Sequence, residues 1–171
     1  MSNLNIRESL ERAIRIFQER PEAAQKKAAS ATAMLVEGLQ CQMIGPTGEK
    51  IFSDMPRELG GGGAGSNPGW FLRAALASCT ATIIAMRAAL LGIQLKTLEV
   101  TVEGHLDLRG SLGMDESIPR GMQSLHTHVK IGGEGATAAQ LRELAEWGEA
   151  HSVVSCTIRR PPTPSLEIEV V

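Results

Sequence analysis

The chain has 171 residues, of which 43% are hydrophobic, so its length and composition fit one domain with a sizeable core. Seventeen basic residues nearly balance nineteen acidic ones, and the net charge of −2 gives no electrostatic footprint for nucleic acid or for an anionic membrane. Aromatic residues make up only 3%, with no Tyr, which removes the stacking surface that single-stranded nucleic acid needs. A small molecule or a protein is therefore the expected partner.

The first predicted element is an amphipathic helix over 5–20, in which Ile6, Leu10, Ile14 and Phe17 form one apolar stripe. Charges interrupt every apolar cluster there, so the segment lacks the core of a signal peptide and we expect a cytoplasmic protein. Pro21 ends the helix and begins a second short helical piece.

The next segment, "ATAMLVEGLQCQMIGPTGEKIFSDM", alternates apolar and polar residues around Gly38 and around "GPTG". This pattern predicts a small antiparallel meander of short strands joined by turns. Cys41 lies between Gln40 and Gln42 in one of these strands, and we interpret it as an inward-facing core residue.

A glycine-rich loop then leads into a helix over 69–91, with Asn67 as N-cap, Pro68 in the first turn and Gly92 as C-cap. The helix is apolar on nearly all sides, which is typical of a buried core helix. A membrane span needs about 20 apolar residues. Only 13 residues between Arg73 and Arg87 are free of charge, so no membrane span is expected.

Two alternating runs, "LKTLEVTVEGHLDLRG" and "MQSLHTHVKIGG", predict a hairpin of long strands, each with one solvated face. "ATAAQLRELAEWGEAHSVVSCTI" then has helical spacing, and "SLEIEVV" is predicted as a closing strand. The order of elements gives an α+β domain in which helices pack on antiparallel sheet.

Two patterns could carry ligand chemistry, but each has a simpler interpretation. The loop "GGGGAGSNPG" could hold a phosphate at a helix N-terminus. However, it has no Walker lysine and no following βαβ unit. A flexible loop that allows close backbone approach is therefore favoured. His105, His126 and His128 could share a hairpin face, but partly solvated strand histidines are favoured over a metal site. We expect no cofactor and no metal.

The cysteines Cys41, Cys79 and Cys156 are too few and too scattered for a disulfide scaffold. Cys79 lies 12 residues after the cap, roughly 18 Å along the helix, so the dipole of its own helix cannot activate it. A reactive Cys79 needs a cation from another segment. From this pattern alone, buried filler is favoured for Cys79 and Cys156.

The stretch "ELGGGGAGSNPGWFLRAALASCTATIIAMRAALLGI" resembles the signature of the OsmC/Ohr family of thiol-dependent peroxide reductases. The similarity continues through "VTVEGHLDL" and "LHTHVKIGG" to "EAHSVVSCTIRRPP", which predicts an OsmC-like domain over 31–171 preceded by an N-terminal helical extension over 1–30. The resemblance implies an OsmC-like α+β fold, with antiparallel sheets packed around a long buried central helix, in an intertwined homodimer.

The resemblance also implies a reaction and its partners. Cys79 falls on the peroxidatic cysteine, which attacks an organic hydroperoxide and becomes a sulfenic acid; a second cysteine then forms a disulfide, which a dithiol reductant opens. In the family's C-P-V-S element the resolving cysteine aligns with Ser152. Cys156 stands one helical turn later and is the resolving candidate.

Two further positions depart from the family pattern. Gly69 stands where a glutamate commonly follows Asn-Pro and orients an arginine over the sulfur, and no arginine lies between Lys27 and Arg57. Arg57 is therefore the predicted catalytic substitute, and the other candidate cations are Arg73, Arg120 and His151.

Because that pair is missing, a second function stays open. The protein could bind an apolar small molecule, or sense oxidants, in a pocket near Cys79 lined by residues such as Trp70, Phe71 and Met86. A purely structural role for all three cysteines is the third possibility.

Overall fold

The structure is a computed structural model that describes residues 3–171, with side chains from residue 5 onward. The chain forms two compact units: 8–74, and 75–171 together with the N-terminal residues up to Arg7. The predicted α+β class with antiparallel sheets is confirmed.

The first unit carries most of helix α1 (Asn3–Glu19) and a three-stranded antiparallel meander. A short 3₁₀ helix (Pro21–Ala24) follows α1, where the sequence predicted a second short helical piece beginning at Pro21. Strands β1 (Thr32–Glu37), β2 (Gln40–Ile44) and β3 (Lys50–Ser53) pair in the order β1-β2-β3, as predicted. Cys41 pairs with Leu35 and Ser53 and is half-buried.

Helix α2 (Pro68–Leu91) begins in the first unit and continues into the second. Asn67 caps it, because its side-chain oxygen accepts the N–H of Trp70 at 2.9 Å. The helix ends at Gly92, whose φ of +73° is in the left-handed region that favours glycine at a C-cap. Both predicted ends are confirmed.

The second unit contains the long hairpin of β4 (Gln94–His105) and β5 (Ser124–Glu134), antiparallel as predicted. A four-residue helix α3 (Leu108–Ser111), capped by Asp107, lies in their connection. The hairpin packs its apolar face on a small core of α2 and α4 side chains, namely Ile84, Ala88 and Leu144. Val100, Val129 and Ile131 are among the partly buried residues that surround this core.

The predicted C-terminal helical region is two helices, α4 (Ala138–His151) and α5 (Val153–Arg159), separated at Ser152. Thr137 and Gln140 form a capping box at the start of α4. Helix α4 approaches α2 closely, since a Cβ built on Gly148 would lie 2.2 Å from Cγ1 of Ile84. Only glycine fits this crossing.

The predicted strand over 165–171 is absent, because no strand of this chain pairs with the segment. Its apolar side chains are largely exposed: 84% at Leu166, 74% at Ile168 and 89% at Val170. An extended segment with alternating apolar side chains becomes a strand only when a sheet edge supplies hydrogen bonds.

Burial along α2 covers one stripe, formed by Leu76, Thr80, Ile84, Ala88 and Ala89, whereas Trp70, Leu72 and Leu91 are exposed. Among the described residues, α2 is the one helix that is long and apolar enough to cross a membrane, judged by length and composition alone. The core helix of a soluble protein passes the same test, and α2 carries Arg73 and Arg87 within its span.

Candidate active site

Cys79 lies in the middle of α2 and is half-buried. It precedes Thr80, which is fully buried in the core stripe, so Cys79 faces the side of the helix next to that stripe. The sulfur is thus held on a rigid helix while remaining partly accessible.

Three hydrogen-bond donors from one neighbouring segment lower the pKa of the Cys79 thiol. They are the hydroxyl of Ser152 and the backbone N–H groups of Val154 and Val153. Burial raises the pKa of the Cys79 thiol, but these three hydrogen bonds outweigh it, so the pKa lies below its ordinary value. The thiolate is stabilised, and a larger fraction of Cys79 is nucleophilic at neutral pH.

The donors are available because α5 begins at this point. The first N–H groups of a helix have no partner within the helix and carry partial positive charge. Ser152 is the N-cap of α5 and is fully buried; its oxygen accepts the N–H of Ser155 at 3.3 Å. That bond uses a lone pair, which leaves the hydroxyl proton free to be donated to the sulfur of Cys79.

Cys156 lies one turn further along α5, where its N–H donates to the carbonyl of Ser152 at 2.8 Å. Its side chain is exposed and its thiol donates to the carbonyl of Ala150 at 3.1 Å. The guanidinium of Arg159 also hydrogen-bonds the Cys156 sulfur. All three cysteines are free thiols.

Three of the candidate cations, Arg57, Arg120 and His151, contact groups other than Cys79. Arg57 belongs to the first unit, in a 3₁₀ helix (Arg57–Leu59), where its Nε is 3.5 Å from the carbonyl of Gly62. Arg120 pairs with Glu116 at 2.5 Å on the surface of the β4–β5 connection. His151 stacks on Trp147, with ring centroids 3.9 Å apart, and its Nδ1 lies 2.7 Å from the carbonyl of Trp147.

Within the described part of the second unit, the groups that lower the pKa of Cys79 are therefore hydroxyl and amide dipoles rather than a charged side chain. Sequence reasoning missed these donors, because the helical period runs from α4 into α5 without interruption. Ser152 was the available signal, since serine is a favoured N-cap residue, but a serine within a helical pattern does not by itself mark a break.

The glycine-rich loop holds an anion that the chain itself supplies. Asp54 is 3% exposed, and its carboxylate accepts the N–H of Ala64 at 3.0 Å and that of Met55 at 2.7 Å. The N–H of Ala64 has the largest effect in lowering the pKa of Asp54, and the N–H groups of Met55, Gly62 and Gly63 add to it against the effect of burial.

The loop's glycines allow this wrapping. A Cβ on Gly61 would lie 1.8 Å from the carbonyl oxygen of Met55, and one on Gly65 would lie 2.7 Å from that of Phe52. Gly60 and Gly63 have φ of +85° and +69°. The close backbone approach expected from the sequence is confirmed, and Asp54 occupies the place where a phosphate was considered.

The histidines lie on the hairpin as follows. His126 is opposite Glu103, His128 is opposite Thr101, and His105 is opposite Ser124, whose hydroxyl is 3.2 Å from its Nδ1. Among the residues that the structure describes, no group of three or more His, Cys, Asp or Glu side chains could hold a metal ion.

The chain is thus an α+β protein with two antiparallel sheets and a 24-residue helix that carries a cysteine of lowered pKa. A family model described as "OsmC-like protein" matches residues 60–167, which is more than half of the chain. The chain belongs to the OsmC-like protein family, as the sequence resemblance predicted.

Solved structures with the same fold have low sequence identity to the chain. An OsmC-like protein from Mycoplasma pneumoniae is 19% identical with a TM-score of 0.67, covering 80% of this chain and 91% of its own. An organic hydroperoxide resistance protein OsmC from Legionella pneumophila is 24% identical with a TM-score of 0.56, covering 79% and 93%. The organic hydroperoxide resistance protein OhrB of Bacillus subtilis is 16% identical with a TM-score of 0.51, covering 78% and 93%. The search of curated proteins returned no match.

Proposed function

We propose that the protein reduces organic hydroperoxides in defence against oxidative stress, with Cys79 as the nucleophile. The observation that carries the proposal is the set of three donors from Ser152, Val153 and Val154 on a half-buried sulfur whose pKa they lower. Solved structures with this fold include several named as organic hydroperoxide resistance proteins, which gives the proposed substrate class.

The Cys79 thiolate attacks the terminal oxygen of the hydroperoxide and the O–O bond breaks. The alkoxide leaves and takes a proton to become the alcohol, while the sulfur is oxidised to a sulfenic acid. The Cys156 thiol attacks that sulfur next; water leaves and a Cys79–Cys156 disulfide forms. A dithiol reductant then opens the disulfide, so that two thiols return and the reductant carries the oxidised bond.

The role of Cys79 as the nucleophile is tested by adding stoichiometric cumene hydroperoxide to the reduced protein and following peroxide loss. We expect rapid consumption that Cys79→Ser lowers to the rate of a free cysteine, whereas Cys41→Ser retains it. Consumption by the parent protein at the free-cysteine rate would contradict the proposal.

The role of Cys156 is tested by mapping disulfides in the oxidised protein by mass spectrometry. We expect a Cys79–Cys156 bond, and we expect Cys156→Ser to accumulate sulfenic acid on Cys79 with the first turnover intact. If Cys156→Ser turned over repeatedly at the parent rate with the same dithiol, the reductant would be acting directly on Cys79 and Cys156 would have no resolving role.

A second candidate function is the binding of a small apolar molecule. It is supported by a cavity of about 300 Å³ in the first unit. Trp70 lines this cavity together with Asp54, Pro56 and loop residues, whereas the predicted lining residues Phe71 and Met86 do not. Phe71 packs edge-on against Trp70, with ring centroids 5.3 Å apart. Quenching of tryptophan fluorescence by an apolar ligand, without peroxide consumption, would favour this function.

We also propose that two copies form a homodimer. Large apolar side chains of α2 and of the segment 165–171 are exposed, and large exposed apolar patches mark surfaces that associate with another chain. A groove of about 720 Å³ between β5 and α4, lined in part by Val129, Ile131 and Leu141, is open as well. Sedimentation equilibrium should give twice the 18.2 kDa chain mass; a monomer at micromolar concentration would contradict the proposal.

A further inference from the structure

The donors on Cys79 depend on where a very short helix begins. Helix α5 has seven residues, and an isolated helix of that length is not stable in water. Its first turn must therefore be held in place by contacts from outside the helix. The contacts that hold it lead to one residue, Glu149, in the last turn of α4.

Glu149 is tied to the start, the middle and the end of α5. Its backbone carbonyl accepts the N–H of Ser152 at 3.3 Å, and its carboxylate accepts the hydroxyl of Ser155. Nη1 of Arg159, the last residue of α5, donates to both carboxylate oxygens at 2.8 Å, and Nη2 donates to the Glu149 carbonyl at 3.3 Å.

We propose that Glu149 and Arg159 are positioning residues, forming a clamp that fixes the first turn of α5 against the sulfur of Cys79. The inference rests on the proposed function, to which it adds the residues that hold the thiolate donors in place. Because the Glu149 carboxylate binds the middle and the end of α5, and the Glu149 carbonyl binds its start, the helix cannot rotate or slide without breaking a charge-assisted hydrogen bond. Hydrogen bonds to the Cys79 sulfur weaken steeply once donor and acceptor lose alignment.

The charges near α5 are consistent with a geometric role. Glu149 on α4 and Arg159 on α5 neutralise each other. The other titratable groups on these two helices are Arg142, Glu143, Glu146 and His151 on α4 and Cys156 on α5. Burial raises the pKa of Glu149, but the hydrogen bonds from Arg159 and Ser155 outweigh this effect, and the pKa lies below its ordinary value. Glu149 is therefore ionised at neutral pH. The hydrogen bonds of the clamp are therefore formed above the pKa of Glu149 and are lost only as the pH falls through that pKa.

The test uses the full chain and measures the alkylation rate of Cys79 by iodoacetamide against pH, resolved by mass spectrometry of the Cys79 peptide. The variants are Glu149→Gln, Arg159→Gln and the two combined. Glu146→Gln is the matched control, because Glu146 is an exposed acid one turn earlier on α4. We expect each single variant to shift the profile to higher pH and to slow alkylation at pH 7 by about tenfold, as for the loss of one hydrogen bond to a charged group.

Because the two residues act as one clamp, the double variant should be no slower than the slower single variant. Arg159→Lys keeps the charge but loses the bidentate bond, so it should give an intermediate profile in a chain that retains its fold. The Glu146→Gln profile should match that of the parent.

Glu149→Gln and Arg159→Gln proteins that melt at lower temperature but keep the parent alkylation profile would overturn the clamp, since the pair would then be merely structural. A shifted profile in a protein that does not consume peroxide would support the clamp while contradicting the proposed function. Fast peroxide consumption that all variants retain would overturn the clamp while leaving the proposed function intact.

Discussion

Two regions of this molecule present clustered backbone N–H groups to an acceptor, and they differ in what the acceptor can do. In the glycine-rich loop, N–H groups including those of Ala64 and Met55 converge on the carboxylate of Asp54. At the start of α5, the N–H groups of Val153 and Val154 converge, together with the Ser152 hydroxyl, on the sulfur of Cys79. The first acceptor is a carboxylate with no proposed reaction, whereas the second is the proposed nucleophile.

Under the proposed function, the same kind of donor cluster serves structure in the first region and chemistry in the second. Carboxylates are already ionised at neutral pH, so the loop gains order but no new reactivity. A thiol titrates above neutrality, so the same kind of donors increases the fraction of thiolate. These donors lower the pKa of Cys79 without a charged side chain, where the sequence led us to expect a cation.

The largest effect on the free energy of unfolding is expected from a substitution in the glycine-rich loop. Gly61→Ala would place a Cβ 1.8 Å from the Met55 carbonyl oxygen, which is backbone and cannot move aside easily. We expect a loss of about 1–3 kcal/mol in the free energy of unfolding, measured by urea denaturation. Gly121→Ala is the control, because its Cβ would meet nothing within 4 Å. Equal stability of the two variants would mean that the loop does not need its close backbone approach.

Much of this fold followed from local pattern, because caps and periodicity are short-range signals. Asn67 and Gly92 marked both ends of α2, and alternation in 94–105 and 124–134 marked the hairpin. The segment 165–171 has the same alternation, yet it forms no strand, because pairing depends on a neighbour that no local pattern supplies.

The site was harder to predict than the fold. Cys79 was selected through a resemblance to a family, and the roles given to Cys79, Cys156 and Arg57 remain predictions. Asp54 and Ser152 were missed because their importance lies in contacts made by folding: Asp54 with N–H groups up to ten residues away, and Ser152 with a helix more than 70 residues earlier in the chain. Spacing along a sequence does not encode such contacts.

A smaller effect on stability, with a larger one on reactivity, is expected at Ser152. Ser152→Ala removes both the N-cap oxygen of α5 and one donor to the Cys79 sulfur. We expect the free energy of unfolding to fall by about 1 kcal/mol, and the alkylation profile of Cys79 to shift to higher pH. Ser78→Ala is the control, because that exposed hydroxyl bonds to the carbonyl of Ala75 in its own helix. An unchanged alkylation profile for Ser152→Ala would show that the two N–H groups are sufficient.

The smallest effect on stability is expected from Asp54→Asn, and this effect should depend on pH. Asp54→Asn keeps one acceptor oxygen but removes the charge, so the variant should lose less stability than Gly61→Ala does. The pKa of Asp54 is lowered in the folded protein by the N–H of Ala64 and its neighbours. The stabilisation is therefore fully present above the unfolded pKa, about 3.9, and is lost as the pH falls through the folded value.

The stability gap between the parent and Asp54→Asn should accordingly be constant from pH 7 to about pH 5 and should close in more acidic solution. Urea midpoints measured across this range would show it, with Glu58→Gln as a control for losing an exposed acid on the adjoining 3₁₀ helix. A gap that persisted unchanged in acid would mean that the loop recognises the shape of the side chain rather than its charge. The loop would then no longer be the charged but inert counterpart of the Cys79 site, and the parallel between the two regions would be limited to their backbone geometry.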